Sequence, residues 1–313
     1  MDLSVVIPTY NRKDSLAKTL ECLKRQDVPQ RIQWEVVVVD NNCTDQTRQV
    51  VTKLAETFPV CLRHVVEVKQ GVSNARNRGI AEARGKILAF TDDDVRPAPT
   101  WIHAVLSTVQ KFGCDAVIGK IELQWTFTRP KWLTDDLTEF LARLDYGEHE
   151  FEITSQATPP YGPNMAFKKE IFDSIGEFDP TLGRRLGSLA TGEEPDLFSR
   201  FLAAGFKAIY QPESLVYHEL QPGRVKKSFF RKSHFFNGVN AGKRYNANDC
   251  KRVLGIPLFL FRQLCRSIGI FVKDTWYLGV DNSLRKEVNA WYLFGFMVGC
   301  AKSRWQGTHR FQV

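Results

Sequence analysis

The sequence predicts an α/β protein, with a mostly parallel central sheet flanked by helices and a basic helical C-terminal segment. Apolar strand-like runs alternate with amphipathic stretches through the first 121 residues, the β-α-β-α rhythm that builds a parallel sheet. Three of those runs end in polar residues, Thr9-Tyr10-Asn11, Asp40-Asn41-Asn42 and Asp92-Asp93-Asp94. Right-handed crossovers gather such carboxyl ends along one edge of the sheet. The third observation is charge. The chain carries a net +8 over 313 residues, yet residues 1–224 hold 27 Lys and Arg against 31 Asp and Glu, while residues 225–313 hold 16 against 4. The body is mildly acidic and the tail basic, a balance that attracts nucleic acid, anionic lipid or phosphorylated ligands without choosing among them.

The elements follow in order. Leu3–Pro8 reads as a buried strand, and Asp14–Gln26 as a helix with Leu16, Leu20 and Leu23 on one face. Val36–Val39 is too β-branched and apolar for an edge, so it suits a central parallel strand. Asp40–Asp45 is a turn, and Thr44 or Asp45 caps a helix running to about Phe58. Val60–Val66 is a third strand, Gly71–Ala83 a helix ended by Gly85, and Lys86–Thr91 a fourth strand that Pro97 and Pro99 keep from continuing. A helix follows Pro99 as far as about Phe112, and Asp115–Ile121 is a fifth strand. The middle, 122–192, is less regular. It holds Trp125, Trp132, an acidic helix-like stretch from Asp135, the pair Pro159-Pro160 and a strand, Tyr161–Phe167, shaped at its entrance by Gly162 and Pro163. After a turn at Gly176–Pro180, the polar loop Gly183–Thr191 has the length and composition of a lid. Gly192–Arg200 opens a helix with acids in its first turn, and the short strands Phe206–Tyr210 and Leu215–Tyr217 lead to His218.

Three adjacent carboxylates repel one another, so Asp92, Asp93 and Asp94 call for a cation or hydrogen-bond donors close by. Carboxylate oxygen suits Mg²⁺ or Mn²⁺, ions that commonly bridge to phosphates. The bland alternative is a solvated acidic turn. No G-x-G-x-x-G and no Walker glycine–lysine loop occurs, which removes the main support for dinucleotide dehydrogenases and P-loop proteins. Seven cysteines lack C-x-x-C spacing, as expected for reduced thiols rather than a disulfide framework or zinc site. No basic, apolar leader precedes the first strand, so a cytoplasmic protein is expected.

The order of motifs resembles family 2 glycosyltransferases of the GT-A fold. Val5-Val-Ile-Pro-Thr-Tyr-Asn11, Val38-Val-Asp-Asn-Asn42, Gly71-Val-Ser-Asn-Ala-Arg-Asn-Arg-Gly79, Phe90-Thr-Asp-Asp-Asp94, Asn164 and Gly192-Glu-Glu-Pro-Asp-Leu197 carry it. It covers residues 1–220, and the tail lies outside it. The resemblance implies an inverting enzyme that moves a sugar from a nucleotide diphosphate donor, by default a UDP-sugar, to a glycan or lipid-linked acceptor in polysaccharide or glycoconjugate synthesis. It also implies a DXD element. Asp94 is then the expected ligand of Mn²⁺ or Mg²⁺, with Asp92 and Asp93 supporting the ribose and metal shell. Asp40 matches the residue that hydrogen-bonds the base, with Pro8, Thr9, Tyr10, Asn11 and Asn42 around it.

On the acceptor side the family uses the aspartate of a Glu-Asp pair as base. Here the pair is Glu193-Glu194, so the candidates rank Glu194, Glu193 and Asp196. Arg76 and Arg78 cannot both point the same way on a helix; one reaches the nucleotide and the other is a surface or packing residue. His218 is either a metal or pyrophosphate contact or a structural histidine, and Asn164 either a donor or acceptor contact or a turn residue. The competing class is a non-catalytic nucleotide-sugar or glycan-binding protein on the same fold.

From Val225 onward the pattern is helical, basic and aromatic. Lys226–Phe236 alternates cations with phenylalanines, while the apolar runs Ile256–Phe261 and Trp291–Ala301 are shorter than the roughly 20 residues that span a bilayer. Two readings stand for residues 225–313: helices packed on one another with a basic outer face, or a contact with acceptor or with the inner membrane surface.

Overall fold

The computed structural model describes residues 1–155, 159–184, 189, 191–245 and 251–308. It divides into two units. The first comprises Met1–Thr126, Ala142–Leu186 and Gly192–Leu220; the second comprises Phe127–Leu141, Gly187–Thr191 and Gln221–Val313.

The first unit is built on β1 (Leu3–Thr9), α1 (Lys13–Lys24), β2 (Trp34–Asp40), α2 (Thr47–Ala55), β3 (Cys61–Val66), α3 (Val72–Glu82) and β4 (Ile87–Phe90). Every residue of β1, β2 and β4 is buried, which is why their runs are apolar on both faces rather than alternating. β1 pairs in parallel with β2 and with β4, and β2 with β3. The register sets Thr9 opposite Asp40 and Val6 opposite Phe90. The carboxyl ends of three strands therefore meet at one edge. Gly79 and Gly85 permit the close approach behind them: a Cβ on Gly79 would strike Val6, and one on Gly85 would strike the backbone of Leu3 and Ser4.

Beyond β4 the sheet becomes mixed. It continues with β5 (Val95–Pro97), α4 (Trp101–Phe112), β6 (Ala116–Gln124), and, after the short helix α5 (Asp135–Thr138) of the second unit, β7 (Phe151–Ile153), β8 (Met165–Lys168), α6 (Ile171–Ile175), α7 (Glu193–Ala203) and β9 (Ala208–Glu219). The order is β3-β2-β1-β4-β8-β6-β9-β5, with β7 also on β9. β8 lies antiparallel between β4 and β6, and β6 and β9 are parallel. Three elements differ from the sequence expectation. The proline-bearing stretch after the acidic triplet is itself a strand, β5, antiparallel to β9; it stands at the end of the sheet order, where Pro97 is tolerated. The two short strands before His218 are one strand, with a register shift opposite Gly119 and Lys120. The strand expected at Tyr161–Phe167 starts only at Met165. Four residues of the expected lid loop, 185–188, and residue 190 lie outside the described residues.

The second unit contains α8 (Lys227–Arg244), a two-stranded ribbon of β10 (Arg252–Val253) and β11 (Ile256–Pro257), α9 (Leu258–Asn282), which breaks at Gly279, and α10 (Leu284–Thr308). α8 and α10 cross through four glycines. A Cβ on Gly238 would meet the Tyr292 carbonyl, on Gly242 the Phe296 carbonyl, on Gly295 the Phe235 carbonyl and on Gly299 the Val239 carbonyl. Backbone rests on backbone there. In the aromatic stretch 226–236, Phe230 is buried against Trp132 and Phe140, while Phe235 is half-buried and meets the exposed rings of Trp291 and Phe294. Phe230 thus follows the packed-helix reading. Among the described residues no helix is long and apolar enough to cross a membrane.

Candidate active site

The polar edge of the first unit holds three clusters. At the end of β2, Asp40 is nearly buried and accepts the Cys43 N–H at 2.6 Å, while its other oxygen stands 3.0 Å from Nε2 of His64 on β3. Asn41 orders the next loop by donating to the carbonyls of Glu67 and Lys69 and accepting the Gly71 N–H. Asn11 Oδ1 accepts the Thr44 N–H at 2.7 Å, pinning the β1–α1 and β2–α2 loops together. Asn11 and Asn42 both adopt positive φ, 52° and 68°, a conformation asparagine tolerates better than most residues. Tyr10 and Asn42 are exposed beside them, and Pro8 is buried inside β1.

The second cluster is the acidic triplet. Thr9 donates to Asp93 at 2.8 Å, and Arg12 Nη1 reaches Asp93 at 3.1 Å and Asp94 at 2.5 Å. His218 Nε2 lies 3.4 Å from Asp94 Oδ1, with both residues buried. Burial and the neighbouring Asp94 charge push the Asp93 carboxyl up to about 7, against the pull of Arg12. Burial works against the charge of Arg12 as well, but Asp93 and Asp94 outweigh it and hold the guanidinium firmly protonated.

Asp92 turns away from this pair toward the third cluster. Arg76, on the buried face of α3, places Nη2 3.6 Å from Asp92 and Nη1 3.1 Å from both Glu193 and Glu194. Its guanidinium also lies over the Phe178 ring. Arg78, two residues on, points outward and pairs with Glu82, so Arg76 is the arginine that reaches the site. Gly192, with φ 127°, turns the chain into α7. This puts Glu193 and Glu194 in the first helical turn, where the dipole favours negative charge.

The two glutamates differ in protonation. Burial and the Glu194 charge push Glu193 up to about 8, against the opposing pull of Arg76. Its Oε2 is buried without a hydrogen-bond partner, as is Arg76 Nε. Burial also works to raise Glu194, but the Arg76 charge and the adjoining Glu193 carboxyl outweigh it and hold Glu194 below the ordinary glutamate range. The pair is thus biased in opposite directions, Glu193 toward its protonated form and Glu194 toward the carboxylate. Glu194 Oε1 also accepts the Gly162 N–H at 3.2 Å, and a Cβ on Gly162 would collide with the Arg76 guanidinium. Asp196 is engaged elsewhere, 3.0 Å from Arg200, which in turn donates to the carbonyls of Ile175 and Glu177.

Asn164 has a structural set of partners. It is buried, accepts from the Trp101 indole at 2.8 Å and donates to the carbonyls of Lys120 and Ser214, tying α4, β6 and β9 together. Trp132 likewise packs on Phe230. Conversely, Arg12 and His64 pair with candidate site residues without having stood out in sequence. Arg12 sits just before a helix, where a solvated charge is the usual reading, and His64 belongs to a strand whose neighbour is visible only in the register. For a divalent ion, Asp94, Asp92 and His218 offer hard oxygen donors and one imidazole, and the Asp93–Asp94 pair already draws a cation in Arg12. The donor chemistry fits Mg²⁺ or Mn²⁺, although among the described residues no three such groups converge closely enough to hold an ion.

A parallel βα edge that presents an acidic triplet, a buried arginine and a glutamate pair defines a nucleotide-sugar transferase of the GT-A kind. The chain belongs to glycosyl transferase family 2, whose model matches residues 4–176, more than half of its length. It is similar to succinoglycan biosynthesis protein ExoM of Rhizobium meliloti, 26% identical over 245 residues, covering 78% of this chain and 75% of that protein. It is also 26% identical over 297 residues to a glucosyl-dolichyl phosphate glucuronosyltransferase of Haloferax volcanii, covering 92% and 87%. Among solved structures, the mannosyltransferase PcManGT from Pyrobaculum calidifontis, in complex with GDP-Man and Mn²⁺, shares the fold with a TM-score of 0.62 at 20% identity, over 97% of this chain and 87% of that one. The chain is a glycosyltransferase.

Proposed function

We propose that this enzyme transfers a sugar, with inversion, from a nucleoside diphosphate donor to a hydroxyl of a glycan or lipid-linked acceptor. The observation that carries this reading is the division of labour between Glu193 and Glu194. At the start of α7 both carboxyls meet Arg76, and Glu194 alone also accepts the Gly162 N–H, which favours the carboxylate at Glu194 and the protonated form at Glu193. A single displacement needs one such carboxylate on the acceptor side. Glu194 takes the proton of the acceptor hydroxyl as its oxygen bonds to the anomeric carbon. The bond from that carbon to the diphosphate oxygen breaks on the opposite face, and its electrons leave with the nucleoside diphosphate. Arg76 spans the two ends, touching Asp92 and Glu194 at once.

In this proposal Asp40, fixed by His64 and Cys43, receives the nucleobase, while Pro8, Thr9 and Tyr10 shape that end. Asp94 and Asp92, with His218 behind Asp94, would hold Mn²⁺ or Mg²⁺. When bound, the ion supplies positive charge to the diphosphate. The dolichyl phosphate sugar named in the Haloferax relative supports including lipid-linked acceptors.

The test is release of nucleoside diphosphate from a panel of UDP- and GDP-sugars, with Mn²⁺ or with EDTA and a chelator washout. Turnover that needs the ion and returns on its readdition is expected. Donor binding with neither transfer nor donor hydrolysis for any acceptor would sink the catalytic assignment of Glu194.

A further inference from the structure

We infer that α9 is a docking helix for an anionic lipid surface. It is a long helix, 25 residues, yet Leu260 and Ser267 are its only buried side chains among the described residues. That inner side is settled: Leu260 and Leu264 pack with Met297 and Cys300 of α10, and Asn289 of α10 donates to Ser267 at 3.1 Å. The opposite side has an order of its own. Residues four and seven apart share a helix face, so Arg262, Arg266 and Lys273 form one cationic stripe, all three exposed. Beside it runs an apolar stripe of Phe261, Cys265, Ile268, Val272 and Trp276, also exposed. Val272 is 59% and Trp276 86% accessible. Phe259, Ile270 and Tyr277 flank the cations on the other side. Between Leu258 and Lys273 there is no acidic residue.

A cationic stripe bordered on both sides by large apolar and aromatic groups matches a helix lying in the plane of a bilayer interface. The rings and branched chains then enter the acyl boundary, and the cations meet lipid phosphates. Trp276 and Tyr277 stand just before the break at Gly279, with Leu278 and Val280 exposed around it, and indole and phenol groups prefer the headgroup level. A second copy of the chain is the poorer occupant. Seam against seam would bring two sets of Arg262, Arg266 and Lys273 together, and like charges across an interface are costly. The stretch 226–236, the more obvious candidate by sequence, has Phe230 buried and its other phenylalanines half-buried, so it offers less apolar surface than α9. The inference is independent of which residue serves as the base.

The experiment is co-sedimentation of the full chain with phosphatidylcholine vesicles, with and without phosphatidylglycerol, at low and high salt. Binding only to the anionic vesicles, weakened by salt, is expected, with a blue shift of tryptophan emission that Trp276→Phe diminishes. The triple variant Arg262→Gln, Arg266→Gln, Lys273→Gln should lose roughly a hundredfold in partitioning, from about fivefold per cation. Its thermal melt serves as the folding control, since these side chains are exposed. Equal binding to neutral vesicles, or a triple variant that binds like the parent, overturns the inference. So does self-association that Ile268→Asp abolishes in the absence of any vesicle binding, which would assign the face to a second copy.

Discussion

Arg76 Nη1 and Glu194 Oε1 stand 3.1 Å apart, and this pair joins the donor edge of the sheet to the first turn of α7. The guanidinium is 2% exposed and serves Asp92, Glu193 and Glu194 together. Its charge favours the ionised form of both glutamates, and the Gly162 N–H adds to that at Glu194 alone.

Exchanging each glutamate for glutamine separates their roles. Glu194→Gln should retain donor binding and lose about 10²–10⁴ in kcat, the usual worth of a positioned base. Glu193→Gln mimics the protonated acid already present and should cost less than about tenfold. Single-turnover release of nucleoside diphosphate, alongside donor titration by calorimetry, makes the comparison. Equal losses in both variants would move the base away from Glu194.

The raised Glu193 carboxyl has a pH signature in stability. The folded protein holds this proton up to about pH 8, whereas an unfolded glutamate releases it near pH 4.3. The folded state therefore binds more protons across that window, and this contribution is full below it and falls as pH rises through it. Thermal melts at intervals from pH 5 to 9 should show a downward slope that Glu193→Gln flattens. An unchanged slope in the variant would place the titration elsewhere.

Removing the arginine tests the cluster as a unit. Arg76→Met keeps the apolar stem but leaves buried carboxylates without their cation, a loss of about 3–5 kcal/mol. Urea denaturation should report it as a lower midpoint with little change in slope. The variant should also hold Glu194 less readily as a carboxylate, so residual activity shifts to higher pH.

The second unit offers a contrast between glycines. Gly242→Ala sets a methyl against the Phe296 carbonyl, and Gly295→Ala sets one against that of Phe235; each should lower stability by about 1–3 kcal/mol as α8 and α10 are forced apart. Gly269→Ala on α9, where nothing stands within 4 Å, should raise it by up to about 1 kcal/mol through helix propensity. Calorimetric melting of the full chain distinguishes the two classes. Tolerance of Gly242→Ala would mean the helices can part freely.

The parallel half of the sheet was legible because residues such as Val36–Val39 are buried on both faces, leaving an unbroken apolar run. β5 and β7 were not, since each is three residues long and its partner is chosen by tertiary packing rather than by pattern, while β8 was expected inside a longer strand and only its start was misplaced. The same limit governs the site. Asp40, the acidic triplet and the glutamate pair announce themselves as clustered charge. Asn164 beside Gly162 and Pro163 looks like a turn residue, and only its distant partners, the Trp101 indole and the carbonyls of Lys120 and Ser214, give its amide a structural role. His64 and Arg12 become visible when the strands are aligned, because their partners lie 24 and about 80 residues distant.

The span of the Arg76 cluster bears on the order of synthesis. Glu193 leaves the ribosome 117 residues after Arg76, which at 5–20 residues per second is roughly 6–24 s. Through that interval the nascent parallel sheet can form around β1, β2 and β4, with Asp92 as the sole cluster carboxylate yet made for the Arg76 guanidinium. Burial of that cation must wait for α7. The Arg76 cluster thus closes only once α7 has emerged, with β9 alone of the sheet still to come, and a chain stalled before residue 193 leaves the Arg76 cation without its two glutamates.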